Sequence, residues 1–185
     1  MPYETTTNKV QQAVTTAFDE LDSWFGQPDS ICVYKPVGGG WSINEILEHV
    51  SLTSHFLLIV IRNGTAKALK RSSQRGLPDS GESNLDVLAV IGMRGSFPWA
   101  RPEHMVPSGN KNMAEVRNTL RLQRDECLSI LNKLAHGEGS LFTANMSVAS
   151  IGKMDLYQWI YFLAQHACRH VSQIDAVYQE AKNQS

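Results

Sequence analysis

The stretch from Met154 to Gln179, MDLYQWIYFLAQHACRHVSQIDAVYQ, restricts the fold of this chain more than any other. Asp155 is placed to cap a helix. Gln158, three residues on, completes a capping box, and Met154 and Trp159 stand as a hydrophobic staple. Beyond the cap, Trp159, Leu163, Ile174 and Val177 recur at the helical period and make one apolar stripe. His166 and His170 interrupt that stripe at its centre. Four residues apart, they stack one turn above the other on the face directed to the core. Two buried imidazoles need partners for their ring nitrogens, because an unpaired buried polar group costs roughly 1–3 kcal/mol. Hydrogen bonds within the core are one solution, and a metal ion shared by both rings is another. A pair at this spacing arises by chance too readily to decide between them.

Length and composition narrow the class. The chain has 185 residues, 42% of them hydrophobic, which suits a single domain over 1–185 with one sizeable core. Seventeen Lys and Arg stand against eighteen Asp and Glu. The one concentrated basic run is Lys67–Arg71, so a broad nucleic-acid-binding face is disfavoured. The longest apolar run, Phe56–Ile61, is far too short to span a membrane, and the first residues carry no signal pattern. Three scattered cysteines, Cys32, Cys127 and Cys168, do not suggest a disulfide framework. A soluble protein of a reducing cytoplasm is expected.

A first helix is expected over about Thr7–Phe25, where Val10, Val14, Ala17, Phe18, Leu21 and Trp24 recur at spacings of three and four. Gly26 and Pro28 end it. Residues 27–40 connect, with Cys32–Tyr34 briefly extended. The glycines at 38–40 are followed by no Walker lysine and read as a flexible approach to the next helix. That second helix has a clear start: Ser42 caps, Glu45 completes the box, and Trp41 staples to Ile46. Its stripe of Ile46, Val50, Thr53, Phe56 or Leu57, and Val60 includes His49, whereas His55 points elsewhere. Asn63-Gly64 offers a C-cap, with continuation to about Lys70 as the alternative.

Residues 71–111 form a long connection. Leu85–Ile91 suits one or two helical turns, and Pro98, Pro102 and Pro107 keep the remainder irregular. Such a link suits a crossover along a bundle or a lid over a site. Trp99, Arg101 and His104 are its candidates to reach a ligand. A third helix begins near Asn112, with Glu115 three residues later, and buries Met113, Val116, Leu120, Cys127, Leu131 and Leu134. Gln123 lies in that stripe, set to hydrogen-bond internally, while Arg117, Arg121 and Arg124 fall on solvated flanks. Residues 136–153 contain an extended piece too short for a sheet. Four long amphipathic segments and one long link give an all-α four-helix bundle, with the long connection between the second and third helices.

His49 from the second helix joins His166 and His170 from the fourth as three imidazoles on core faces. Neutral imidazole suits zinc, nickel, copper or iron, and three protein ligands leave a position open to water or substrate. Other arrangements are excluded. Ala167 stands where a zincin glutamate belongs, and no Glu precedes any of the three histidines by three residues, as carboxylate-rich di-iron bundles require. Cys168 projects away from the histidine pair. No general base stands out.

The segments PVGGGWSINEILEHV and IGKMDLYQWIYFLAQHACRHVSQI resemble the two signature regions of the DinB-like (DNA-damage-inducible) family. In that family a Trp-Ser pair opens the second helix, with a histidine seven residues after the serine; here these are Trp41-Ser42 and His49. The fourth helix carries His-x-x-x-His followed by x-x-Gln-Ile, matched by His166, His170, Gln173 and Ile174. The resemblance implies a divalent metal ion on His49, His166 and His170, zinc or nickel first, and frequently a homodimer. It also implies a small-molecule substrate, since relatives include thiol-dependent transferases and isomerases that use low-molecular-weight thiols such as bacillithiol or mycothiol. The expected reaction is thiol-dependent transfer, or a related metal-activated transfer or hydrolysis. A non-catalytic metal-binding or stress-related interaction module of the same fold is the alternative. Gln173, one turn beyond His170, reads as a residue that fixes a ligand's tautomer or as a helix-surface glutamine. Arg121 or Arg124 would meet the carboxylates of a thiol substrate.

Overall fold

The structure, a computed structural model, describes residues 3–78, 81–93, 95, 102–146, 148 and 151–184. Pro98, Trp99 and Arg101 lie outside the described residues. Helix α1 (Glu4–Ser23) and the single turn α2 (Asp29–Cys32) precede the long α3 (Ile43–Arg75). The single turn α4 (Ala89–Gly92), α5 (Met113–Lys133) and α6 (Leu156–Asn183) follow, with strands β1 (Thr143–Met146) and β2 (Gly152–Asp155) before α6. The chain is mostly helical. Both α1 and α3 pack against α5 and α6, so the four long helices enclose one core. Among the described residues, no helix is long and apolar enough to cross a membrane.

The helix starts follow the local chemistry. Ser42 accepts from the Glu45 N–H while the Glu45 carboxylate accepts from the Ser42 N–H, and Asp155 and Gln158 make the same reciprocal pair. At α5, Asn112 accepts from the amides of Ala114 and Glu115. These bonds satisfy donors that a helix start otherwise leaves unpaired.

Helix α3 runs through Gly64 to Arg75, past both ends expected for it. Gly64 is a point of close approach. A Cβ there would lie 2.6 Å from the Leu156 side chain and 2.7 Å from the Phe142 ring, and the residues beyond it, Thr65 and Ala68, are buried. Packing on the start of α6 carries the helix over a local stop signal.

Within the connection after α3, residues 81–93 are packed structure. Leu85, Leu88 and Ile91 are buried in the core, each side chain contributing roughly 1.5–3 kcal/mol by leaving water. The Ser83 N–H donates to Thr6 Oγ1 at 3.1 Å, Gln158 Nε2 donates to the Asn84 carbonyl at 2.9 Å, and Arg169 donates to the Met93 carbonyl at 2.7 Å. Residues 81–93 are thereby tied to α1 and α6.

Two local expectations are corrected. Cys32 closes the helical turn α2, because the amides of Ile31 and Cys32 donate to the Pro28 carbonyl. Strands β1 and β2 do form a sheet, a two-stranded antiparallel pair with Ala144 opposite Met154 and Met146 opposite Gly152. Its anchors, Met146 and Met154, are buried. A core that receives those side chains stabilises strands of four residues, which are marginal alone.

Candidate metal centre

His49 stands in the second turn of α3, in line with Ile46, Val50 and Thr53, all buried. His166 and His170 stand at the middle of α6, flanked by buried Leu163, Ala167 and Ile174. Packing of α3 on α6 brings the three rings together. Ring centroids are 4.5 Å apart for His166–His170, 4.7 Å for His49–His170 and 5.4 Å for His49–His166. Each ring offers a nitrogen within 4.8 Å of the others, and all three residues are buried. This group can hold a metal ion.

The outer nitrogens set the tautomers. His49 Nδ1 lies 2.7 Å from the Met105 carbonyl oxygen, and His170 Nδ1 lies 2.9 Å from Gln173 Oε1. Both partners accept only, so each Nδ1 carries the proton and each Nε2 keeps a lone pair. His170 Nε2 faces His166 Nε2 at 3.2 Å. Two imidazoles sharing one tetrahedral ion with bonds of about 2.0–2.1 Å would hold their nitrogens about 3.3 Å apart. The donor set therefore fits a divalent ion in both spacing and protonation. Burial, reinforced by the neighbouring His170 and His49 rings and by Arg169, holds His166 well below the usual histidine range. His166 stays neutral, as a ligand must.

The surroundings include groups not legible in the sequence. The Trp41 ring lies 4.7 Å from that of His49, so the residue expected as a helix staple also shields the site. Glu48, beside His49 and 2% exposed, receives three hydrogen bonds from Ser108 and Gly109. Thr53 Oγ1, one turn beyond His49 on the same face, is buried without a hydrogen-bond partner among the described residues. The sequence gives little sign of the Glu48 role, because its partners lie some sixty residues away.

Other candidates are placed elsewhere. His55 is exposed and meets Phe56, and the His104 ring packs on Phe56 at 4.2 Å. Cys168 is half-buried, its thiol pushed up by burial and by Glu20 of α1. Gln123 is buried and donates to the Ser51 carbonyl at 2.9 Å. Arg121 and Arg124 do not reach toward the histidines. Arg121 forks onto Asp22 and Arg124 pairs with Asp19, both on α1. Opposite charge on the adjacent helix, invisible in the α5 sequence alone, fixes where they go.

A fold dominated by four long helices, with three imidazoles from two of them meeting in its core, defines a class of helical protein with a potential metal site. The sequence model of the DinB superfamily matches residues 6–174. The chain belongs to that superfamily. No curated protein and no solved structure gives a significant match.

Proposed function

We propose that this chain is a metal-dependent enzyme built on a DinB-type four-helix bundle, with His49, His166 and His170 as ligands of one divalent ion, zinc or nickel. One observation carries the reading: in a buried cluster, His49 and His170 each donate the outer Nδ1–H to a protein acceptor, leaving Nε2 for the ion. The ion would supply Lewis acidity, lowering the pKa of a thiol or water held at the open position. The chain's own residues do the rest. Met105 and Gln173 orient two rings, Trp41 shields His49, and the Thr53 hydroxyl is available to hydrogen-bond a molecule at the site.

The reaction proposed is transfer of a low-molecular-weight thiol to a small electrophile, with related metal-activated transfer or hydrolysis within the same chemistry. The protein's own cysteines are poor nucleophiles for it. Burial pushes Cys127 up to about 12 and raises Cys32 and Cys168, so the reacting thiol comes from outside. All three cysteines are unpaired, which supports a reducing cytoplasm, and a homodimer is proposed on the family pattern. The test is metal analysis of untagged protein, followed by a screen of thiols and electrophiles for conjugation with and without the bound ion. Turnover that survives metal removal would overturn the mechanism.

A second reading rests on the 3.2 Å contact between His166 and His170. One proton shared there makes the cluster a hydrogen-bonded core pair, as in a non-catalytic interaction module. Protein that takes up neither zinc nor nickel would favour it.

A further inference from the structure

We infer that Glu48 is a positioning residue that latches residues 102–112 onto α3 and thereby sets the ring of His49. The latch is visible without a metal; its consequence for ion retention rests on the reading above. Glu48 is 2% exposed, and a carboxylate withdrawn from water must be surrounded by donors. It has three. Oε1 accepts from the Ser108 N–H and hydroxyl, each at 2.9 Å, and Oε2 accepts from the Gly109 N–H at 2.9 Å. Gly109 has φ +73°, so the two successive amides turn toward one anion and make a small anion-binding nest. Another residue would be strained there, and its Cβ would lie 3.2 Å from Glu45 Oε1.

The same segment supplies the acceptor for His49. Met105, three residues before Ser108, takes the Nδ1–H of His49 at 2.7 Å, and His104 packs on Phe56. Between these points only Pro107 is buried, and the segment is otherwise largely exposed. Between the Met105 contact and the Asn112 cap of α5, the Glu48 nest supplies three hydrogen bonds that fix its height on α3. Without that hold, the Met105 carbonyl is less firmly placed, and the constraint keeping the His49 proton on Nδ1 is weakened. A ring with the proton on Nε2 presents a hydrogen, not a lone pair, to the other two histidines. Adjacent in sequence, Glu48 acts on His49 through a segment some sixty residues away.

The full chain, zinc-loaded and metal-stripped, is compared with Glu48→Gln and Gly109→Pro. Glutamine keeps the size but turns an NH₂ toward amide donors. Proline acts from the exposed side, removing one donor and the positive φ, so it remains informative if Glu48→Gln misfolds. In stripped protein, ¹⁵N NMR of the histidine rings reports the His49 tautomer, and hydrogen exchange reports the amides of Ser108 and Gly109. Both variants should speed exchange at Ser108, Glu48→Gln should also speed it at Gly109, and both should convert His49 from one tautomer to a mixture. Transfer of Zn²⁺ to a chelator should be about 10–100-fold faster. Faster exchange at Ser108 with an unchanged His49 tautomer and unchanged zinc release would overturn the inference. Wild-type protein that takes up neither zinc nor nickel would remove the metal reading, while the ring spectra would still decide the latch.

Discussion

Two polar clusters join helix pairs in this molecule, on opposite principles. Between α1 and α5, Asp22 receives forked hydrogen bonds of 2.7–2.9 Å from both Arg117 and Arg121, and Arg124 reaches Asp19 at 2.7 Å. The side chains of Asp22, Arg117 and Arg121 are 28%, 37% and 51% exposed. Between α3 and α6, three buried imidazoles converge with their outer protons on His49 and His170 already donated. The seam of charges completes itself within reach of water. The buried imidazole cluster directs the Nε2 lone pairs of His49 and His170 inward. The first arrangement is architecture, and the second suits a ligand.

Metal addition should separate them most sharply. At free metal a hundredfold above Kd, a site present only in the folded state adds about 2.7 kcal/mol, or roughly 5–10 °C in melting temperature for a chain of this size. His170→Ala should lose nearly all of that gain and most bound metal, whereas His55→Ala and Asp22→Ala should keep both. Metal content that survives His170→Ala but falls with His55→Ala would sink the site.

Acid should separate them next, by where each cluster fails. In stripped protein, folding holds the His166 pKa below its unfolded value of about 6.5. Its contribution is complete above that pH and is lost as pH falls toward the lowered value, by up to about 1.4 kcal/mol per pH unit for one proton. Asp22 is also held below its ordinary range, by its hydrogen bonds to Arg117 and then Arg121. Its contribution is present above about pH 3.9 and is lost only below that. Melting curves should therefore weaken between pH 6.5 and 5 in both wild type and Asp22→Ala, with a constant gap between them. The gap should close below about pH 4. A flat wild-type response from pH 7 to 5 would show that His166 is not held neutral by its surroundings.

The smallest effect belongs to the seam itself. At pH 7 and moderate salt, Asp22→Ala should lower the melting temperature by no more than about 4 °C, since partly exposed ion pairs are screened. Added salt should shrink the difference. A loss as large as that of the bound metal would show that the seam holds the frame together.

The helices were legible because their signals are local. Ser42 with Glu45 and Asp155 with Gln158 lie within one turn of each other, and the stripes carrying His49, His166 and His170 repeat every three or four residues. The errors came where distant packing outweighed a local cue. Gly64 reads as a helix end until Leu156 and Phe142 are placed against it. Residues 71–111 read as either a crossover or a lid, with one or two helical turns at Leu85–Ile91, and only packing shows Leu85, Leu88 and Ile91 entering the core. Four-residue strands carry too little pattern to stand out before Met146 and Met154 find a core to enter.

By itself, then, the sequence determined which faces of the second and fourth helices carry imidazoles, since side-chain direction along a helix follows from spacing alone. Tertiary structure decided what those imidazoles meet. The Met105 carbonyl on His49, the Ser108–Gly109 nest on Glu48, and Asp22 on Arg117 and Arg121 each join residues 56 to 99 positions apart. No repeat or spacing in the chain encodes such partners, because they come within reach only when helices pack and the connection settles on α3.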